Sequence, residues 1–498
     1  MENLLSALDQ FATFNVLVAI LIGAIWGTFA GALPGMGTVA ALIVALPFTF
    51  SMSKEASIAL FLGIYVTSVY GGSISAILIN TPGTPQSAAT VMDGYPMAKA
   101  GNADLALGWA TLASLVGGLF SLVVLIIAAP SLARVSVAFG PSAIFALILF
   151  ALTCIAWVSR GSTVKGLMGG MIGLFLTTIG PDDLTGYTRF DFGTDFLAGG
   201  LALIPVLIGL FALSEVYYRA ANYFAAKAPD VTNVGFRLPK WAEIRLRWIQ
   251  FLQSSVIGTF IGILPGTGAT AATFVSYSEL RRTSPRADNF GKGEPDGIIA
   301  SEASNNAVTG GALVPTLALG IPGDGGTVVL LGVLTIQGLV PGFDLINNNP
   351  QILTGAFLVV LVANLIMFLI GMWGAQIFAR ILATPEPLLM GMVLLFSLVG
   401  AFVVRGNPVD IIVAVVAGTI GLILRFSGYP LAPIVIGMAL GKIFEEKLRQ
   451  GLISTSGDVW EFLLDPIALI IFGLTILIIV LPTLTGLKAN KNNETGQD

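Results

Sequence analysis

The chain has 498 residues, 55% of them hydrophobic and only 10% charged, with a mean hydropathy of +0.89. Soluble domains carry about a quarter charged residues, so the composition excludes a soluble globular protein and makes the bilayer the solvent. The net charge of −4 comes with scattered Lys and Arg and no basic run, the single cysteine is Cys154, and histidine is absent; these facts argue against a nucleic-acid partner, a disulfide, a thiolate metal cluster and histidine-based catalysis.

The first ten residues contain Glu2 and Asp9 but no Lys or Arg. They lack the basic n-region of a signal peptide, so the first apolar run is expected to remain in the mature protein. That run, Phe14 to Phe50, is interrupted at Pro34-Gly35-Met36-Gly37, and the next, Ser57 to Met92, at Thr81-Pro82-Gly83-Thr84-Pro85. Leu105 to Ala129, Pro141 to Val158, Val164 to Ile179 and Phe196 to Val216 are plainer spans. A polar segment, 217–247, separates them from Trp248 to Leu280, interrupted at Pro265-Gly266-Thr267-Gly268, and Ile298 to Val340, interrupted at Ile321-Pro322-Gly323-Asp324-Gly325. Ile352 to Phe378, Leu388 to Val404, Ile411 to Leu424, Leu431 to Phe444 and Pro466 to Leu484 complete the series. At about 20 residues per span, this predicts an all-α polytopic membrane protein of roughly 10–12 transmembrane helices.

The interruptions repeat. Gly27 to Ala41 (GTFAGALPGMGTVAA) and Gly258 to Ala272 (GTFIGILPGTGATAA) share ten identities in fifteen at an offset of 231. Gly71-Gly72 with Pro82-Gly83 reappear as Gly310-Gly311 with Pro322-Gly323 at offsets of 239 and 240. This is an internal duplication. It divides the chain into a first transmembrane repeat (1–216), a cytoplasmic linker (217–247), a second repeat (248–487) and a polar tail (488–498).

The positive-inside rule orients the halves. Segment 217–247 holds Arg219, Lys227, Arg237, Lys240, Arg245 and Arg247, whereas loop 181–195 is acidic and loop 341–350 has no Lys or Arg. If each half opens with a re-entrant hairpin turning at its Pro-Gly break, the linker lies inside, the two loops lie outside, and the repeats are inverted, as in many secondary transporters. The C-terminal end is ambiguous. Symmetry makes Leu431 to Arg449 an amphipathic surface helix, whereas Lys488 and Lys491 call for one more span.

Unwound backbone in hydrocarbon leaves N–H and C=O groups unpaired unless protein, water or ligand satisfies them. Proline removes a helix donor and glycine lets the backbone approach a ligand; half-helix N-termini then face an anion while freed carbonyls face a cation. The candidate substrate- and ion-binding residues are therefore Pro34, Gly35, Gly37 and Thr38; Asn80, Thr81, Pro82, Gly83, Thr84 and Pro85; Pro265, Gly266, Thr267 and Gly268; and Pro322, Gly323, Asp324 and Gly325. Ser304, Asn305 and Asn306 supply hydroxyl and carboxamide oxygens beside them. Glu302 and Asp324 are the candidate coupling carboxylates, whereas Asp93 reads as a cap on an interfacial helix. The plainer alternative for the breaks is that the glycines only permit close helix packing, and for Ser301 to Asn306 that they cap a helix at the membrane surface.

The duplicated G-x-L-P-G-x-G, the stretch YGGSISAILINTPGTPQSAATVMDGYPMAKAG (70–101) and the stretch ASEASNNAVTGGALVPTLALGIPGDGGTVVLLGVL (300–334) resemble the large transmembrane subunit of the bacterial tripartite tricarboxylate transporters, over nearly the whole chain. The resemblance implies a small transmembrane subunit and a periplasmic solute-binding protein as partners, a carboxylate substrate with citrate the namesake, residence in the bacterial cytoplasmic membrane, and uptake driven by an ion gradient without an ATPase. In keeping with that, the chain has no G-x-x-x-x-G-K-[ST] phosphate loop. No cofactor is expected beyond a coupling ion, Na⁺ or H⁺. Because no Lys or Arg lies in the four breaks, an anionic substrate would rest on helix dipoles, hydroxyls and co-bound cations, which favours Na⁺. An intramembrane enzyme lacks a catalytic set here, and a channel suits paired breaks in two halves less well than a gated transporter does. A receptor or structural subunit is the remaining class.

Overall fold

The computed structural model describes residues 2–34, 36–158, 163–182, 185–221, 235–266, 268–381 and 386–477. Two candidate site residues, Gly35 and Thr267, lie outside the described residues, as do residues 222–234 of the linker and the polar tail 488–498. In the first half the helices are α1 (Glu2–Phe11), α2 (Phe14–Ala32), α3 (Gly37–Ala45), α4 (Lys54–Ile79), α5 (Val91–Met97), α6 (Ala103–Ser136), α7 (Pro141–Val158), α8 (Thr163–Thr177), α9 (Asp195–Ala198), α10 (Leu203–Leu207) and α11 (Ser214–Ala221). A π-helical stretch, Ile208–Leu213, joins the last two, and a two-residue hairpin pairs Gly180 with Arg189.

The second half comprises α12 (Trp241–Leu246), α13 (Trp248–Ile263), α14 (Gly268–Thr283), α15 (Pro295–Leu319), α16 (Gly325–Ile336), α17 (Phe343–Asn348), α18 (Pro350–Ile381), α19 (Glu386–Val403), α20 (Pro408–Phe426), α21 (Leu431–Ser454) and α22 (Val459–Leu463), followed by an apolar helix over Pro466–Leu477. Among the described residues, six helical segments are long and apolar enough to cross a membrane, and seven more are apolar but shorter. Bulky apolar side chains such as Phe14, Ile127, Met171, Ile412 and Ile470 face outward, as lipid-facing surfaces require. The protein is an all-α multi-pass membrane protein.

Every sequence interruption falls between helices. α2 and α13 end at Leu33 and Leu264, residues equivalent under the 231 offset, with nearly identical extended backbone (φ −75°, ψ 117° and φ −74°, ψ 114°). α4 and α15 end at Asn80 and Gly320, both left-handed (φ 58° and 68°). Glycines set the spacing between these helices. A Cβ at Gly27 would lie 2.7 Å from Ile64 O, and at Gly31 2.1 Å from Ser68 O, so α2 and α4 run parallel in close contact. Gly258 against Ser304 and Gly262 against Val308 make α13 and α15 parallel in the same way. The chain between each parallel pair therefore turns back before the second helix begins.

α4 and α15 form the centre, with almost every residue buried. They run antiparallel to each other: Ser73 meets Glu302 while Val69 meets Asn305. α21 is not an amphipathic surface helix. Its first half is buried and parallel to α8, with Ile434 against Gly173 and Gly441 against Thr177. Its far end reaches the acidic loop, where Arg449 bonds Asp182 at 2.8 Å and Glu445 bonds Arg189 at 2.6 Å. Pro466–Leu477 then packs back on α7 through Ala146, Ala468 and Ile471.

Candidate functional site

Two polar centres lie inside the helical body. The first is a cavity of about 670 Å³ lined by residues at or just after all four interruptions: Gly37 and Thr38, Pro85 and Gln86, Ala269 and Thr270, Asp324 and Gly325. Backbone contacts hold the interruptions to one another. Gly266 N–H donates to Gly323 O at 2.7 Å, joining the third to the fourth, and Gly83 N–H donates to Gly72 O at 3.1 Å, folding the second onto α4. Glycine is required at position 83, because a Cβ there would meet Gly31 O at 2.0 Å. The Thr38 hydroxyl accepts a hydrogen bond of 3.1 Å from Ser68.

Asp324 is the N-cap of α16. Its Oδ1 accepts from Thr327 N–H at 2.8 Å, and the Thr327 hydroxyl in return accepts from Asp324 N–H at 2.9 Å. That pairing is a capping box. Its Oδ2 accepts from the Tyr65 hydroxyl at 2.8 Å. Both partners are neutral and Asp324 lines the cavity, so neither contact competes with a cation or proton that reaches its carboxyl group.

The cavity is also lined by Phe211 of the π-helical stretch, Glu215 of α11, Arg425 of α20, and Tyr429 and Leu431 where the chain passes into α21. The segment from Leu203 to Ala221 and α20 run in parallel register, with Gly209 against Ala414, Gly421 against Ser214, and Arg425 bonded to Glu215. Glu215 also accepts from Arg219 Nε at 2.7 Å. The Arg425 guanidinium lies 6.0 Å from the Tyr218 ring centre. So a guanidinium does line the cavity, although none lies in the breaks themselves. The sequence carried a signal for it: Glu215 and Arg425 are opposite charges at the ends of two apolar runs. Span-end charges commonly sit at the interface, however, and the parallel packing that joins these two is not visible in the sequence.

The second centre surrounds Glu302, fully buried on α15. Its Oε1 accepts from Ser73 at 2.6 Å and from Thr90, and its Oε2 from Ser114 at 3.1 Å. The three hydroxyls arrive from α4, from the residue before α5, and from α6. Thr90 also bonds Ser301 at 3.1 Å. The carboxamide oxygens of Asn305 and Asn306 are buried without a hydrogen-bond partner among the described residues, as is that of Asn364 on α18. Ser301 to Asn306 thus lie in the protein interior and not at a membrane-surface cap.

The structure therefore gathers Gly37, Thr38, Pro85, Asp324 and Gly325 around one cavity and Glu302, Asn305 and Asn306 in the α15 interior. Asn80 and Thr81 are exposed at the end of α4, and Thr84, Pro265, Pro322 and Gly323 are buried packing residues. Pro34, Pro82 and Gly266 are half-buried, Gly268 opens α14, and the Ser304 hydroxyl bonds Ala300 O at 2.6 Å. Asp93 lies inside α5, whose N-cap is Thr90, and is fully buried, so it does not cap an interfacial helix. Its Oδ1 accepts from the N–H groups of Gly291, Gly293 and Glu294 at 2.8–2.9 Å, and its Oδ2 from the Tyr277 hydroxyl at 2.7 Å.

A profile of the tripartite tricarboxylate transporter TctA family matches residues 17–436. The chain belongs to this family. An uncharacterized 52.8 kDa protein in the TAR-I ttuC' 3' region of Agrobacterium vitis is 33% identical over 491 residues, covering 99% of this chain and 98% of that protein. An uncharacterized protein in the TAR-II ttuC' 3' region of the same organism is 30% identical over 241 residues, 48% of this chain and 100% of that protein. No solved structure matches. Membership in the TctA family makes this chain the large membrane subunit of a tripartite transporter, and it implies a small transmembrane subunit and a solute-binding protein as partners.

Proposed function

We propose that this TctA-family subunit is the permease of a secondary active, binding-protein-dependent carboxylate uptake system in a bacterial cytoplasmic membrane, driven by an inward cation gradient, Na⁺ in the first instance. The observation that carries this reading is one cavity lined by residues at or beside all four interruptions and by both Asp324 and Arg425. A carboxylate needs a guanidinium or helix N-termini, and a co-transported cation needs fixed negative charge and backbone oxygens. That cavity offers both. The antiparallel run of α4 and α15, equivalent elements of the duplication, supports inverted repeats. Alternating access then moves the region carrying the breaks against a scaffold that includes α18 and α20.

Proton coupling is the second reading, favoured by one observation: Glu302 is buried among neutral hydroxyls, a setting that accommodates a protonated carboxyl as readily as a cation-bound one. The binding protein is expected to dock on loops 181–195 and 341–350. The deciding experiment is uptake of radiolabelled citrate and a panel of di- and monocarboxylates into proteoliposomes containing the large and small subunits, with the binding protein added, under an imposed Na⁺ or H⁺ gradient. Accumulation that needs both Na⁺ and the binding protein is the expected result. Downhill equilibration without either would replace the transporter reading with a channel.

A further inference from the structure

Glu215 is a carboxylate already seated on the cavity's guanidinium. The arrangement has three properties of a receptor held closed by an internal ligand mimic. Arg425 and Glu215 both line the cavity and neither side chain is fully buried, with exposures of 26% and 15%, so an entering molecule can reach them. Glu215 has a second cation, Arg219, at 2.7 Å, so it stays paired if Arg425 leaves; a carboxylate stranded without a partner would oppose that exchange. Arg425 occupies the last turn of α20, where the helix dipole favours positive charge whichever carboxylate it holds.

We propose that Arg425 is the anion anchor of the cavity, exchanging the Glu215 carboxylate for a carboxylate of the transported molecule. The inference rests on the carboxylate-uptake reading above and deepens it by naming the residue that recognises the anion. A substrate with at least one free carboxylate takes two parallel N–H···O bonds from the guanidinium fork, a geometry that lysine cannot supply. The Tyr429 and Thr270 side chains border the same space. Asp324 repels a second carboxylate until a cation neutralises it, so binding of a di- or tricarboxylate becomes linked to binding of the cation.

The test uses the complete reconstituted complex with citrate and succinate as probes. Charge-assisted hydrogen bonds of this kind correspond to about 10- to 100-fold in affinity, so Arg425→Gln is expected to raise the apparent KM by that factor, with Arg425→Lys intermediate. Glu215→Gln, which removes the competing carboxylate, is expected to lower the KM, and to have no effect on KM when combined with Arg425→Gln. A second readout does not require transport. In a Cys154→Ala chain, Ala432→Cys at the cavity wall is expected to be protected from a maleimide by citrate, and the added Arg425→Gln should remove that protection. Wild-type uptake with an unchanged KM in Arg425→Gln, or protection that survives Arg425→Gln, overturns the anchor and leaves the transport reading standing. Arg425-dependent protection without uptake does the reverse.

Discussion

The Tyr65 hydroxyl donates a 2.8 Å hydrogen bond to Asp324 Oδ2, so the middle of α4 holds the carboxylate that caps α16, 259 residues later. Asp324 thus has two tasks, ending the fourth interruption and presenting charge to the cavity, and substitutions can separate them. Asparagine is as good an N-cap as aspartate, so Asp324→Asn is expected to fold and to lose the Na⁺ dependence of uptake. Tyr65→Phe removes one neutral donor, worth about 1 kcal/mol, and is expected to shift the half-saturating Na⁺ concentration by a few-fold while keeping the dependence. A Na⁺ titration at fixed carboxylate checks both. Full Na⁺ dependence in Asp324→Asn would reduce the residue to a helix cap.

Glu302 presents a different situation, because it is sealed among Ser73, Thr90 and Ser114 and does not line the large cavity. A charge this deep requires a counter-ion, a proton or a movement that admits water. Glu302→Gln keeps the shape and gives the hydroxyls an amide oxygen to bond. It is therefore expected to preserve folding and substrate counterflow while abolishing gradient-driven accumulation. Glu302→Ala leaves three buried hydroxyls without their acceptor and is expected to reduce the yield of folded protein. Wild-type accumulation by Glu302→Gln would assign the site to packing.

The fold was legible where it depends on local chemistry. Pro-Gly sequences stop helices wherever they occur, so all four interruptions could be located, and the identities between Gly27–Ala41 and Gly258–Ala272 correspond to matching helix ends at Leu33 and Leu264. What depends on pairing between distant helices was not legible. Arg425 and Glu215 look like ordinary span-end charges until α20 is laid beside the Leu203–Ala221 segment, and no spacing rule brings together Ser73, Thr90 and Ser114 around Glu302. α21 carries its charges only from Lys442 onward, which resembles a surface helix; Gly437 and Gly441 let the part before Lys442 pack tightly against α8 instead.

Asp93 ties the two halves together. Three N–H donors from 291–294 and the Tyr277 hydroxyl converge on its carboxylate, and the first turn of α15, which follows directly, is held by Arg247 and Arg286 on Asp296 at 3.0 and 2.9 Å. Of the three N–H donors only that of Glu294 is buried; leaving a buried donor without its acceptor costs about 1–3 kcal/mol, and more when the acceptor is charged. Asp93→Ala is expected to lower the thermal midpoint of the purified subunit clearly, and Asp93→Asn to lower it less, because one carbonyl oxygen remains. Equal midpoints for Asp93→Ala and wild type would mean that the loop holds its place through the Asp296 ion pairs alone.

Gly83 and Gly101 allow steric and conformational effects to be compared within one region. Gly101 has φ +87°, and a Cβ added there would meet no described atom within 4 Å, so Gly101→Ala is limited to the strain of a left-handed residue, about 1–2 kcal/mol. At Gly83 φ is not the obstacle; a Cβ would lie 2.0 Å from Gly31 O and 2.7 Å from Ser75 Oγ, and a backbone oxygen cannot rotate away as a side chain does. Gly83→Ala must therefore lift the second interruption off α2 and α4 and break the Gly83 N–H to Gly72 O bond, moving Pro85 and Gln86 out of the cavity wall. The expected outcome is a much larger fall in thermal midpoint than for Gly101→Ala, together with loss of uptake, whereas Gly101→Ala transports. If both variants melted alike and transported alike, the contact among Gly31, Gly72 and Gly83 would not be what holds the second interruption at the cavity.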